Sequence, residues 1–398
     1  RKRLMHIPLA FGLVGPDGKD MSYRSATGAT VENGVMHLKK RRHVVKFSGI
    51  ANRPVISLNR GFSAPVMMTL EMNVEDRVFL ARNDNDPYGR WQAFVSLVTE
   101  ELISAFRQIR GGKQPQFNGQ VSAIAGHIAE NELLEPAFRA LTLTLPGEAD
   151  IAREIGTNID PDAICAARVE FARFVVNGHR AAFQALYDGL ATDAPFTPDA
   201  AGAGRRALRN AILDYLALLP GGDTLAYGHF TRATNMTDRA AALTVLAHRH
   251  PQSEHSIRAL QEFESRFGGS PLVMDKWFMI QASVPGRETA DRVRKLMRHP
   301  AFSIANPNRV RALAGTFFSA NQTGFHSPDG EGYQLYVDTV LAVEQRNPQV
   351  AARLATALRS WRSLEPKRQS KAREALLTIS ARPGLSADVR DIVERTLG

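Results

Sequence analysis

Cysteine is nearly absent: Cys165 is the one thiol in 398 residues. It allows no internal disulfide and excludes a cysteine-rich zinc site. In Ile164-Cys165-Ala166-Ala167, on a helix-like stretch, it reads as a small core residue. The histidine spacing of a zinc hydrolase is missing as well. None of the eleven histidines opens a His-Glu-x-x-His pattern. The nearest approach, His127-Ile128-Ala129-Glu130, lacks the second imidazole. Hydrolysis of that kind needs a metal-activated water with a base in reach, and neither is encoded here. The chain alone is therefore expected to bind no metal and to be inactive.

Long apolar runs are missing too. No stretch approaches the roughly 18–20 residues that span a bilayer, so no membrane partner is expected. The basic start Arg1-Lys2-Arg3-Leu4-Met5-His6-Ile7-Pro8 is followed by no long apolar segment, so no signal peptide is read there. With a single cysteine, this suggests a cytoplasmic setting. A first residue of Arg, not Met, suggests a cut within a longer protein. Strict repeat signatures are absent as well.

What is present falls into two regimes. Residues 1–73 read as strand and turn. Ile7-Pro8-Leu9-Ala10-Phe11-Gly12-Leu13-Val14 is an apolar run closed by the turn Gly15-Pro16-Asp17-Gly18. His43–Phe47, Pro54–Leu58 and Ala64–Leu70 are further runs of strand character. About seventy residues are few for a complete sandwich, so a partial one is expected. From residue 74 to 398 apolar residues recur every three or four positions. Trp91, Val95, Leu97, Val98, Leu102 and Phe106 mark one helix, and Ile164 to Leu186 a pair. Leu208, Ile212, Tyr215 and Leu216 mark another. Asp160-Pro161-Asp162 and Ser386-Ala387-Asp388 are helix starts. Breaks fall at Gly111-Gly112, Pro146-Gly147, Pro220-Gly221-Gly222, Gly268-Gly269 and Pro383-Gly384. The expected fold is mainly α: an irregular, solenoid-like superhelical array of helical hairpins after a short partial β-sandwich. Residues 192–204, rich in Ala, Pro, Asp and Gly, read as a mobile surface loop within that array.

The net charge of +10 is uneven: residues 1–73 hold twelve Lys or Arg against four Asp or Glu. The densest run, Lys39-Lys40-Arg41-Arg42-His43, reads as a solvated hairpin loop. No aromatics interleave with it, which argues against nucleic acid as a partner.

Several blocks resemble the C-terminal region of bacterial aminopeptidase N, a family of gluzincin zinc metallopeptidases. They include Phe62-Ser63-Ala64-Pro65-Val66, Arg206-Ala207-Leu208-Arg209-Asn210-Ala211, Asn235-Met236-Thr237-Asp238, Val273-Met274-Asp275-Lys276-Trp277-Phe278, Asn306-Pro307-Asn308-Arg309 and Arg346-Asn347-Pro348-Gln349-Val350. Their order agrees from about residue 7 to the end. The resemblance implies that residues 1–73 end a small β-sandwich and that 74–398 form a helical cap. The missing N-terminal and catalytic domains of the same polypeptide would then be partners and would hold the zinc. The cap would close over a cavity that admits short peptides, with Arg311, Gln349 and Arg353 facing substrate. Arginine suits that place, because its planar fork matches a peptide's terminal carboxylate. Asn306-Pro307-Asn308 reads as an Asx turn capping the next helix, and Asn235 or Thr237 as another cap. Asp275 and Lys276 beside Trp277 suggest a buried ion pair. His326, Ser327 and Asp329 match a hydrolase trio in residue type alone. From the helix array and charge, the alternative is a free-standing scaffold binding proteins or nucleic acid.

Overall fold

The computed structural model describes residues 4–398; the basic residues 1–3 lie outside the described residues. Six short strands come first: β1 Ile7–Val14, β2 Ser25–Thr27, β3 Thr30–Glu32, β4 Val35–Leu38, β5 Lys46–Ser48 and β6 Val55–Leu58. One antiparallel sheet has the order β3-β4-β1-β6, and β2 pairs with β5 separately. The first half of β1 runs against β4 and the second half against β6. Leu9, Phe11 and Leu13 alternate inward onto Met36 and Ala64, the period a half-buried strand requires. Tyr23 and Phe47 complete the cluster beside Phe11.

Three expectations fail in this region. Ala64–Leu70 forms no strand, because it finds no partner for a ladder. Its Val66 and Met68 still pack on the small core, so their apolar character reports burial and not pairing. The run at 43–47 shrinks to Lys46–Ser48. The basic loop is not a hairpin, since β4 and β5 belong to different sheets. Its four bases are exposed, and His43 holds it by accepting from the Lys39 and Lys40 amides at 3.0 and 2.9 Å. That leaves Nδ1 to donate to the Gly28 carbonyl.

From Val74 onward the chain is helical, with one isolated parallel bridge, Ile159 to Leu364, among the described residues. The periodic stretches become Pro87–Arg110, Pro161–Gly178, Arg180–Gly189 and Ala200–Leu216. Asp160 caps its helix from the side chain with Pro161 at the first position, and Asn235 and Asn306 cap theirs. Ser386 stands at a helix start too, but its hydroxyl is buried without a partner. The Ala/Gly-rich segment is not a loop throughout. Asp199 caps a helix that begins at Ala200. Gly202 and Gly204 are buried, and a side chain at Gly204 would meet the Ala137 backbone nitrogen at 3.0 Å. The small residues let two helices approach closely.

The helices close on themselves. Pro161–Gly178 packs on Ala200–Leu216, which packs on Met236–Arg249, then on Pro271–Ala282, then on the turns spanning 311–325, which return to Pro161–Gly178. Arg368, almost fully buried, fastens that return. Its guanidinium reaches Asp160 and Glu365, each at 3.2 Å, and Asp162, and bonds the His326 carbonyl at 2.6 Å. The Glu365 amide and the Ile159 carbonyl bond beside it at 2.8 Å.

The sheet and the helices meet at Arg60. It bonds Ser57 at 3.0 Å and pairs with Asp20 and Asp84 at 2.8 Å each. Gly12 lies beneath the guanidinium, so close that a Cβ there would fall 1.9 Å from its central carbon.

Candidate functional site

The ring of helices borders an open cleft of about 700 Å³. Polar groups reach it from several of these helices and from the short helix Glu148–Ile155. Glu148 stands in the first turn of Glu148–Ile155, where the helix dipole favours a carboxylate. Cys165 and Arg168 come from Pro161–Gly178, Asp214 from Ala200–Leu216, and His248 and Arg249 from the end of Met236–Arg249. Ser283 and the turn from Ser319 to Thr323 complete the wall.

These groups differ in how they are satisfied. Arg249 grips Asp214 through two bonds of 2.9 and 2.7 Å. Arg168 bonds the Pro146 carbonyl through Nε at 2.9 Å, while Glu148 stands 3.7 Å from its Nη1. That pair is close enough for attraction and too long for a hydrogen bond. Burial raises the Glu148 pKa against the pull of Arg168. Burial, with Glu148 beside it, pushes the Cys165 thiol up to about 12. Such a thiol is inert at neutral pH, in keeping with a packing role. His248, buried against Ser283 at 3.0 Å, is pushed down to about 4 by desolvation and stays neutral. The cavity wall thus carries fixed charges of both signs.

The three residues anticipated at a peptide site lie elsewhere, and none lines this cavity. Arg311 opens the π-turn Arg311–Gly315 and is exposed, its guanidinium on the Asn308 side chain. Gln349 and Arg353 are exposed on the helix Pro348–Ala355, four residues apart. The structure brings these two segments together. A Cβ built on Gly315 would lie 3.7 Å from the Arg311 Cβ and 3.8 Å from Leu354. So the neighbour of Arg353 packs on the turn that carries Arg311. From Arg311 the same helical run reaches Ser319 at the cavity, about 12 Å away at 1.5 Å per residue.

Other candidates prove structural. Asp275 pairs with Arg309 at 2.7 Å and not with Lys276, which is exposed. Arg309 also bonds the Pro271 carbonyl and lies over the Phe278 ring, so two of the sequence blocks form one buried contact. His326 bonds the Tyr333 hydroxyl at 2.9 Å, Ser327 Oγ is buried without a partner, and Asp329 caps the amide of Glu331. No triad forms. The cavity groups were missed by sequence reasoning. Glu148, Arg168, Asp214 and Arg249 sit on four separate elements, and each taken alone is an ordinary helix charge.

Comparison with known proteins fits this architecture. Residues 1–71 match the family described as domain of unknown function (DUF3458) Ig-like fold. Residues 74–398 match domain of unknown function (DUF3458_C) ARM repeats. Aminopeptidase N of Caulobacter vibrioides is 34% identical over 98% of this chain and 44% of its own length. Aminopeptidase N of Escherichia coli is 30% identical over 100% of this chain and 45% of its own length. The crystal structure of Legionella pneumophila aminopeptidase A in complex with aspartic acid agrees with a TM-score of 0.84 at 28% identity, covering 98% of this chain and 45% of that one. The chain thus spans under half the length of the relatives it matches. It belongs to the DUF3458 family, with an Ig-like part followed by ARM repeats, and is similar over nearly its whole length to part of bacterial aminopeptidase N.

Proposed function

We propose that this chain is the non-catalytic region of a zinc-dependent aminopeptidase N acting in the cytoplasm, and that it caps the active-site cavity. In this reading it helps bind the peptide whose N-terminal residues are removed. Arg311 and Arg353 hold the terminal carboxylate of a short peptide, and Gln349 bonds its backbone. The observation that carries it is the meeting of two segments some forty residues apart at Gly315, which sets exposed Arg311 beside the helix of Gln349 and Arg353. Exposed guanidiniums are free to take a bidentate carboxylate.

The zinc belongs to the part of the polypeptide beyond this chain. Among the described residues no three His, Cys, Asp or Glu side chains gather into a metal-binding group. The scaffold alternative rests on the helix array and the charge alone, and no aromatic residue stands within the basic run Lys39-Lys40-Arg41-Arg42.

The test uses the full-length polypeptide. Replacing Arg311 or Arg353 by Ala should lower kcat/KM for free-carboxylate peptides about tenfold to a hundredfold, from a charge-assisted bond of about 1.5–3 kcal/mol. An amide-blocked reporter should change little. Equal losses on both substrates would overturn the reading.

A further inference from the structure

The cavity within the helix ring has no part in the carboxylate reading above, yet it is built like a ligand site. Its volume of about 700 Å³ is in the range that holds small molecules. It is a cleft open to solvent, and its mixed lining sets the charged groups among apolar ones such as Val169, Ala241 and Val245. Its charges form two pairs within the chain, and the pair of Arg168 with Glu148, at 3.7 Å, falls short of a hydrogen bond. Arg168 is bonded to a neutral carbonyl and only loosely paired with Glu148. On the neighbouring helix Asp214 carries a carboxylate whose side chain remains 44% exposed despite its bond to Arg249. A ligand with an anionic and a cationic end would satisfy both.

We propose that this cavity binds a zwitterion, an amino acid or short peptide, with Arg168 on the carboxylate and Asp214 on the ammonium group. The paired Arg249 holds the Asp214 carboxylate in place. Thr244, His248 and Gln322 offer neutral polar contacts between the two ends. His248 stays uncharged near neutral pH and adds no charge of its own to the cavity. The site stands apart from Arg311, and its existence does not depend on the Arg311 reading.

The test is calorimetric titration of this chain with dialanine, alanine, N-acetyl-dialanine and dialanine amide. Free dialanine or alanine should bind, and blocking either end should weaken binding at least about tenfold, the loss of one charge-assisted contact. Tighter binding of alanine identifies the free amino acid as the source, and tighter binding of dialanine identifies the peptide. Arg168→Gln should abolish the preference for a free carboxylate, and Asp214→Asn the preference for a free ammonium group. Circular dichroism checks the fold, and Arg168→Lys, which keeps the charge, should restore part of the affinity. The proposal is overturned if blocked and free ligands bind alike, or if no heat appears up to about 50 mM. It is also overturned if Arg311→Ala removes binding while Arg168→Gln retains it, because the ligand would then sit at the exposed arginines.

Discussion

Two arginines, Arg60 partly and Arg368 almost fully buried, do similar chemistry at two places, and their difference is instructive. Arg60 joins the sheet to the helices, with its carboxylates 24 and 40 residues away. Arg368 joins the two ends of the ring, and Asp162 is 206 residues away. The joint at Arg60 has other support: Val14 of β1 is part of the helical core, so apolar packing crosses the boundary. The closure at Arg368 concentrates three carboxylates and a carbonyl on one side chain. Both joints share their load, the first with apolar packing across the boundary and the second with the backbone bridge of Ile159 to Leu364, but the second gathers more charge on one side chain.

The comparison breaks most visibly at Arg368. Arg368→Met should cost about 3 kcal/mol, because it strands Glu365 and Asp160 beside a buried site while the half-exposed Asp162 turns to water. Thermal melting should show the loss, and amide exchange should quicken near residues 159–178 and 363–380. Arg60→Met should cost less, about 2 kcal/mol, because Asp20 is partly exposed and can turn to water while Asp84 is left buried. Calorimetry should then show the sheet unfolding ahead of the helices. Equal losses from both variants would erase the distinction.

Acid sharpens the same contrast. His326, whose carbonyl Arg368 holds, is pushed down to about 3 by burial, with Arg368 adding to the effect. Unfolded, it takes up a proton near pH 6.5. Between those values the unfolded chain binds the extra proton, so stability falls as pH drops below 6.5. His229, pushed down to about 4 by burial, acts in the same direction. His326→Gln should flatten the slope by one proton, about 1.4 kcal/mol per pH unit. A slope unchanged in that variant would show that His326 protonates in the folded state. Smallest of all, Arg311→Ala and Arg353→Ala should shift stability by under about 0.5 kcal/mol, as exposed charges do. A large drop in Tm would make them structural arginines like Arg309.

What could be read in advance follows from the range of each interaction. Caps at Asp160, Asn235 and Asn306 act within three residues, and the sequence shows both partners at once. Glycine and proline breaks are local in the same way. The strands between 25 and 38 went unread although Asn33-Gly34, both at positive φ, spell a tight hairpin turn. Their apolar residues are too sparse to draw the eye. The partner of Asp275 was misassigned because adjacent residues on a helix point apart, and the true partner lies 34 positions on. Arg368, in Lys367-Arg368-Gln369-Ser370-Lys371, has the look of a solvated basic face. Nothing nearby announces that Asp160 will come to meet it. The charged cavity is illegible for the same reason, since its walls are assembled from distant elements.

The return of the array onto its own beginning bears on how such a chain can change over evolutionary time. An open stack of helical pairs tolerates gain or loss of a unit, because each unit contacts only its neighbours. Here an added or deleted pair between residues 200 and 320 would carry Arg368 away from Asp160 and open the circuit. The number of units is therefore held by the closing contacts around Ile159 and Arg368, and length variation should accumulate in the connecting loops while the count of helices stays constant.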